Sequence, residues 1–306
     1  MSFNILVLDG GGSKGIYTIG VLKELERKLG GLLFEHFNLI YGTSTGSIIS
    51  ALVALGHSVY EIEKLYLKHI PEIMSARSSD KKSEHLKALA DKIFGDKMFG
   101  SFKTDIGIVS LNYDEQKPLI FKSNIKQAHG MKQSFDPGFG CSISNAVQSS
   151  CSAYPIFAIK KISTTSQGEI NAIDGGFIAN NATLYALIDA HKAYKINENE
   201  IRLLNIGTGK FIEKPLNWKF KILKKVNILK FIERILISNT ATNVELSKLL
   251  FPNVKTLRIC ETYTEPEYET NMIEMDINKL KKIAQLGRKS YAKFEMDVLK
   301  LFELET

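Results

Sequence analysis

The sequence predicts an α/β fold with a mostly parallel central sheet, helices on both faces and a nucleophile elbow. The apolar run Phe37–Tyr41 has the pattern of a buried strand, and the small and apolar residues after Gly46 have the pattern of a helix. The run Asn4–Leu8 is a second short, β-rich segment, and it leads through glycines into another helical pattern. Short strands that alternate with helices favour parallel pairing, because a crossover helix joins each strand to the next.

Ser44 is the central residue of a Gly-x-Ser-x-Gly pentad that runs from Gly42 to Gly46. The pentad lies on the predicted strand-to-helix turn, where flanking glycines allow a tight turn and the hydroxyl is presented near the positive end of the helix. Ser44 is therefore a candidate nucleophile. The pentad alone also fits a serine that only caps a helix beginning at Thr45.

Length and composition indicate a folded globular protein. The chain has 306 residues, 44% hydrophobic and 24% charged, which suits a single domain over residues 1–306. No apolar run reaches the roughly 18 residues that span a bilayer, and the N-terminus has no signal-peptide pattern, so we expect a cytoplasmic protein. The cysteines, Cys141, Cys151 and Cys260, have neither metal-ligand spacing nor a disulfide pattern. We predict no metal and no cofactor.

The charge balance favours anionic partners. Forty Lys and Arg residues against thirty-three Asp and Glu residues give a net charge of +7. Such a balance attracts phosphate headgroups, nucleotides or nucleic acid, and does not choose among them.

A glycine-rich loop, DGGGSKG from Asp9 to Gly15, separates the first predicted strand from a helix. Such a loop directs backbone N–H groups and a helix dipole at one point. Gly10, Gly12 and Gly15 satisfy a dinucleotide-binding pattern, but the second strand runs into the elbow where that pattern requires an acidic residue. Alternatively, the amides of Gly11 and Gly12 form an oxyanion hole. If the first two strands are parallel neighbours, both loops open at one sheet edge.

Asp174 is the candidate base for Ser44. It ends a predicted strand and is followed by Gly175 and Gly176, which allow close approach by other backbone, although Asp-Gly-Gly is also simply a good turn.

None of the six histidines lies in a motif. His191 follows the aspartate in the order found in α/β-hydrolases, but it lies deep within a helix. A two-residue Ser-Asp mechanism fits better.

Two basic stretches are candidates for contact with anions. Arg77, Lys81 and Lys82 cluster in a polar helical region that we expect to be interrupted at Pro71, and they are a candidate phosphate contact or a solvated face. Residues 210–306 form a basic, amphipathic and helical C-terminal part, which fits an anionic membrane surface or a helix that covers the sheet. Its first stretch interleaves apolar and aromatic residues with Lys210, Lys214, Lys219, Lys221, Lys224, Lys225, Lys230 and Arg234.

Three motifs in order resemble the signatures of patatin-like phospholipases. They are Asp-Gly-Gly-Gly-x-Lys-Gly at Asp9–Gly15, Gly-Thr-Ser-Thr-Gly at Gly42–Gly46 and Asp-Gly-Gly at Asp174–Gly176. LLNIGTG at Leu203–Gly209 is similar to a strand-turn element of that family, so the core motifs cover residues 3–209. Three motifs in order are a far more specific signal than any one of them.

The resemblance implies a three-layer patatin-like fold and a serine lipid acyl hydrolase that uses a Ser-Asp dyad. It assigns Ser44 as nucleophile, Asp174 as base and the loop Gly10–Gly12 as oxyanion hole. We expect Lys14 and Gly15 to belong to the same oxyanion-hole loop. Lys14 stands where many relatives have arginine, which keeps the charge.

The resemblance also suggests partners. Small bacterial members of the family include membrane-degrading effectors of anti-phage defence that are switched on by cyclic nucleotides. We therefore expect a membrane phospholipid substrate, peripheral contact with the inner face of the membrane, a cyclic dinucleotide activator and no nucleic acid; oligomer formation stays open. The alternative function is a non-catalytic nucleotide-binding or sensor module that uses the glycine-rich loop for phosphate.

Overall fold

A computed structural model describes residues 2–165, 168–212 and 228–304. The strands within these ranges are β1 (Phe3–Leu8), β2 (Leu39–Thr43), β3 (Asp105–Asn112), β4 (Lys117–Lys122), β5 (Lys160–Thr164), β6 (Gly168–Asp174), β7 (Ile201–Ile206), β8 (Lys210–Phe211), β9 (Lys255–Ile259) and β10 (Thr262–Tyr263). The α-helices are α1 (Gly15–Leu29), α2 (Thr45–Ala54), α3 (Val59–Ser75), α4 (Ser79–Phe94), α5 (Ile143–Cys151), α6 (Gly176–Ala179), α7 (Thr183–Ile188), α8 (Ile228–Leu250) and α9 (Ile277–Phe302).

The main sheet has the strand order β5-β6-β3-β2-β1-β7-β9, and β4 also pairs with β3. Strands β3, β2, β1, β7 and β9 run parallel to one another, whereas β4, β5 and β6 are antiparallel to their neighbours. The predicted parallel pairing of the first two strands is confirmed. The sheet is therefore mostly parallel, with an antiparallel side.

Both faces of this sheet are covered, as predicted. Along β1, Leu6 and Leu8 pack into one apolar core and Ile5 and Val7 into another, because successive side chains of a strand point to opposite faces. The larger core includes residues of α1, α2, α3, α5 and α9, and the smaller one includes residues of α7. This burial on both faces explains why the parallel strands are almost continuously apolar.

The antiparallel side of the sheet sets the position of the candidate site. Strand β4 pairs with β3 along one edge, from Gly107 to Asn112. Strands β2 and β6 share the opposite edge, where Thr43 faces Val109 and Asp174 faces Ser110. Because β6 is antiparallel to β3, the carboxyl ends of β2 and β6 meet end to end.

The predicted interruption at Pro71 is wrong, since α3 runs from Val59 to Ser75. Proline removes one intrahelical hydrogen bond. Ile70, Ile73 and Met74 are buried in the last turns of this helix, and their packing favours a continuous helix.

Part of the predicted basic stretch, namely Lys214, Lys219, Lys221, Lys224 and Lys225, lies outside the described residues. Within the described ranges, none of the helices combines the length and the apolar character needed to cross a bilayer.

Candidate active site

Ser44 occupies a strained turn between β2 and α2. Its backbone has φ 53° and ψ −125°, a positive-φ conformation that is costly for a residue with a side chain. The Ser44 amide donates a hydrogen bond to the Ser150 hydroxyl at 2.9 Å, and Ser150 donates in turn to the carbonyl oxygen of Val109. The Ser44 hydroxyl makes no capping hydrogen bond to α2, so the capping alternative is wrong.

The Ser44 hydroxyl instead donates to a buried carboxylate. Ser44 Oγ lies 2.6 Å from Asp174 Oδ2, and the Gly176 amide donates to Asp174 Oδ1 at 2.7 Å. Burial raises the pKa of Asp174 from 3.8 to about 7, and the hydrogen bonds from Ser44 and Gly176 lower it by less. A carboxyl group with this pKa can exchange a proton near neutral pH.

The predicted glycines of the elbow and turn allow close packing around the dyad. A Cβ atom on Gly42 would collide with the carbonyl oxygen of Gly46, and one on Gly46 would collide with that of Leu8. A Cβ atom on Gly175 would collide with the carbonyl oxygen of Val109, and one on Gly176 would approach Leu236 to 2.9 Å. Larger residues at these positions would displace backbone that holds the dyad.

The glycine-rich loop lies directly beside Ser44. A Cβ atom built on Gly10 would lie 3.2 Å from Ser44 Cβ. The Gly10 amide donates to the carbonyl oxygen of Asn180 at 3.0 Å, which corrects the expectation that Gly10 contributes a donor to an oxyanion hole. In the described part of the chain, the amides of Gly11 and Gly12 have no hydrogen-bond acceptor. They are two backbone donors that an anion could use.

Gly15 begins α1 where space is tight. A Cβ atom at this position would lie 2.6 Å from both Thr45 Oγ1 and the Tyr66 hydroxyl. Tyr66 also donates to the carbonyl oxygen of Gly12. The absence of a side chain at Gly15 therefore lets the first residue of α2 and an anchor of the loop approach α1.

A buried polar network, which sequence reasoning missed, anchors the first residue of the loop. Asp9 accepts hydrogen bonds from Asn181 at 2.7 Å and Asn205 at 2.9 Å, and it is paired with Arg258 of β9 at 2.7 Å. Arg258 also donates to the side-chain oxygen of Asn205. Asn181 lies close to the Asp-Gly-Gly motif, and this position is a weak indication of a role at the site. Arg258 does not lie near any of the motifs in the sequence.

Helix α8 packs over the glycine-rich loop. Lys14, the lysine of the first motif, is buried and forms an ion pair with Glu233 of α8. Further along the helix, the side chain of Asn239 accepts from the Asn180 amide at 2.8 Å, and the Thr240 hydroxyl accepts from the Asn180 side chain at 2.8 Å. The loop is thus held between the sheet and α8.

The structure does not link the predicted basic cluster to the dyad. Arg77 precedes α4, and Lys81 and Lys82 lie in its first turn. The Lys82 ammonium donates to the carbonyl oxygen of Ala76. Among the described residues, none of these three side chains is hydrogen-bonded or ion-paired to Ser44, Asp174 or the glycine-rich loop. Their role as an anion contact stays a prediction.

The side chains of His191 and His129 are hydrogen-bonded to groups other than Ser44 and Asp174. His191 contacts the carbonyl oxygen of Ile196, and His129 is paired with Asp189. Throughout the ranges that the structure describes, no group of His, Cys, Asp and Glu side chains is suited to hold a metal ion.

Comparisons with known proteins give the family. The model of the patatin-like phospholipase family matches residues 6–187. A protein of Escherichia coli named cUMP-AMP-activated phospholipase is 44% identical over 287 residues, which cover 94% of this chain and 90% of that protein. A cGAMP-activated phospholipase of Pseudomonas aeruginosa is 30% identical over 133 residues, 40% of either chain. VipD of Legionella pneumophila, a solved structure, aligns with a TM-score of 0.48 at 12% identity over 99% of this chain and 67% of that one. The chain belongs to the patatin-like phospholipase family.

Proposed function

We propose that this phospholipase cleaves fatty-acyl esters of membrane lipids with Ser44 as nucleophile and Asp174 as general base. The observation that carries the proposal is the 2.6 Å hydrogen bond from Ser44 Oγ to a buried carboxylate whose pKa is raised to about 7. Because the base is already hydrogen-bonded to the hydroxyl, it can take the proton as the oxygen attacks.

In the first half-reaction, Ser44 Oγ attacks the ester carbonyl carbon and its proton passes to Asp174. The resulting oxyanion accepts hydrogen bonds from the amides of Gly11 and Gly12, and from the amide of Thr45, which begins α2 and has no partner within its own helix. Removing one donor of such a set typically costs about 2.7–4 kcal/mol of barrier. The intermediate collapses, and Asp174 returns the proton to the leaving alkoxide of the lysolipid.

In the second half-reaction, water attacks the acyl-enzyme. Asp174 takes a proton from that water, and the second tetrahedral intermediate collapses as the proton returns to Ser44 Oγ. The fatty acid leaves and the dyad is restored. The non-catalytic sensor is disfavoured as an alternative, since the free amides of the glycine-rich loop lie beside a hydrogen-bonded Ser44 and Asp174.

We further propose that a cyclic dinucleotide activates this hydrolysis. The support is the name of the Escherichia coli relative, a cUMP-AMP-activated phospholipase whose similarity covers almost the whole of this chain. An extent of 287 of the 306 residues reaches well beyond residue 187, where the family match ends, and so includes α8.

Helix α8 supports the proposal of peripheral membrane contact. Ile228, Phe231 and Ile235 are exposed along one side of its first half, and Lys230 and Arg234 lie beside them. Exposed apolar side chains with flanking cations suit the interface of an anionic bilayer. We propose that this side of α8 rests on the inner face of the membrane.

The test is fatty-acid release from vesicles of phosphatidylethanolamine and phosphatidylglycerol. We expect release by the unmodified chain in the presence of cUMP-AMP and none by Ser44→Ala. Equal release by both proteins would refute the catalytic assignment. Equal release with and without cUMP-AMP or cGAMP would refute activation by these nucleotides and leave the dyad standing.

A further inference from the structure

A cavity of about 760 Å³ lies between the first half of α8, strand β8 and residues 269–279. Its volume is in the range of sites that enclose ligands of drug or nucleotide size. Lys14 is part of its wall, which links the cavity to the glycine-rich loop.

The wall of this cavity combines cations with apolar surface. Lys210 and Arg234 line it, and neither forms an ion pair with any residue of the described ranges. Phe211, Ile237 and Met272 supply apolar and aromatic surface on the same wall. Cations recognise phosphodiester groups, and nucleobases bind by stacking on aromatic and apolar side chains. This combination suits a small ligand that carries both phosphates and bases.

The cavity is coupled to the active site through shared residues. A smaller cavity of about 90 Å³ borders Gly10 and Gly11, and it shares Lys14, Glu233 and Met272 with the larger one. The carbonyl oxygen of Met272 accepts a hydrogen bond from the Ser13 amide at 2.9 Å. A ligand in the larger cavity would therefore contact two residues that hold the glycine-rich loop.

The ion pair between Lys14 and Glu233 is the contact that such a ligand would change. It ties the loop to α8 and is largely shielded from water, with side-chain exposures of 8% and 22%. Glu233 is also a negative charge on the cavity wall, which opposes the binding of a phosphate. A phosphate that reached Lys14 would replace Glu233 as its partner.

We propose that this cavity binds the cyclic dinucleotide, and that a phosphate of the nucleotide takes Lys14 from Glu233 and so releases α8 from the glycine-rich loop. The inference rests on the proposed activation and adds its site and its mechanism. Lys210 and Arg234 bind the phosphates, and the apolar wall binds the bases.

The test measures nucleotide binding by calorimetry on the full chain carrying Ser44→Ala, with cUMP-AMP and cGAMP as probes, so that hydrolysis plays no part. We expect Lys210→Glu and Arg234→Glu each to weaken binding at least tenfold, since each loses a charge-assisted contact. Glu233→Gln should tighten binding severalfold, because it removes the competing charge. Lys248→Glu is the matched control, since it lies on α8 outside the cavity and should bind like the parent.

A second measurement uses the chain with Ser44 intact. Glu233→Gln should release fatty acid without nucleotide several times faster than the parent, because α8 is no longer tied to Lys14. An unchanged basal rate would overturn the proposed release.

The outcomes separate this proposal from the one on which it rests. If the parent binds a nucleotide and the variants at 210 and 234 bind it equally well, the cavity is the wrong site and activation stands. If the parent binds neither nucleotide, activation and its site both fail for these ligands. If Lys210→Glu, which lies off the proposed membrane side of α8, loses binding to phosphatidylglycerol vesicles but keeps the nucleotide, the cavity holds a lipid headgroup and the proposal is overturned.

Discussion

Thr43 and Asp174 face consecutive residues of β3, Val109 and Ser110, along the same edge of that strand. Ser44 follows Thr43 directly, so the ends of two strands bring hydroxyl and carboxylate together. The spacing of the dyad is therefore set by the register of the sheet and not by a mobile loop. Substitution of either side chain should leave this register intact.

The dyad predicts a loss of reactivity without a loss of fold. Ser44→Ala and Asp174→Asn should each lower hydrolysis of a short soluble ester by at least about 10³-fold, because one removes the nucleophile and the other the base. Asp174→Asn should also slow labelling of Ser44 by a fluorophosphonate. The exposed Asp96→Asn is the control and should behave like the parent. Near-parental turnover by either dyad variant would refute the assignment.

The raised pKa of Asp174 predicts how activity depends on pH. The base must be ionised, so kcat/KM should fall as the pH drops through about 7. Because kcat/KM reports the free enzyme, a limb near pH 4 would contradict the assignment of Asp174 as a base with a raised pKa.

The same shift makes a prediction for stability. Between about pH 4 and pH 7 the folded state keeps a proton that the unfolded state has lost, so stability falls as the pH rises through this window. Asp174→Asn carries no charge, and its amide oxygen can still accept from the Gly176 amide while its NH2 group donates to Ser44 Oγ. The variant should therefore exceed the parent in stability at pH 8 by an amount on the order of a few kcal/mol. At pH 4 the difference should nearly vanish. Thermal or urea unfolding at the two pH values measures it.

The glycine-rich loop predicts a variant that a second substitution rescues. A Cβ atom on Gly11 would lie 2.5 Å from Thr208 Oγ1, so Gly11→Ala should displace the loop and lower kcat about 10-fold or more. Adding Thr208→Gly removes the obstacle and should restore most of the rate. Gly12→Ala should not be rescued in this way, because its Cβ atom would meet the backbone carbonyl of Met272 at a positive φ. If all three variants kept the rate of the parent, the loop would take no part in the reaction.

The ion pair between Asp9 and Arg258 predicts that substitutions of these two residues have non-additive effects on the free energy of unfolding. Arg258→Met leaves a carboxylate that is 4% exposed without its counterion, and should lower the free energy of unfolding by about 3–5 kcal/mol. The double variant with Asp9→Asn should lose less than the sum of the two single changes. Additive losses in a double-mutant cycle would show that the two groups do not interact.

The exposed apolar side of α8 predicts a selective loss of membrane activity. Phe231→Ser combined with Ile235→Ser should weaken binding to anionic vesicles about 10-fold, since two apolar side chains no longer enter the interface. Hydrolysis of a soluble ester should change much less. Met296→Ser, on the exposed side of α9, is the control. Unaltered flotation with vesicles would place the membrane contact elsewhere.

Local patterns in the sequence were enough to predict the fold class and the meeting of Ser44 with Asp174. The elbow is a short strand-turn-helix segment, and its tight backbone turn requires glycine. Asp174 ends a strand directly before two further glycines. The pairing of Lys14 with Glu233 and of Asp9 with Arg258 joins residues more than 200 positions apart. No local pattern encodes such pairs, because the topology of the sheet and the packing of α8 decide them.

The helix α3 is continuous at Pro71, where the sequence predicts an interruption. Packing outweighs the local preference of proline at this position, since the buried residues of the last turns of α3 compensate for one missing hydrogen bond. The sequence pattern also does not predict the direction of β6, because a strand before Asp-Gly-Gly can be parallel or antiparallel to its neighbour.

The positive φ of Ser44 means that the residue proposed to do the chemistry is also a thermodynamic weakness of the fold. Glycine adopts such a backbone without penalty, so the Ser44→Gly variant should outlast the Ser44→Ala variant on heating, although both lack the hydroxyl. Selection for stability alone would favour glycine at this position. The presence of serine would then indicate that the activity is maintained at a cost in stability.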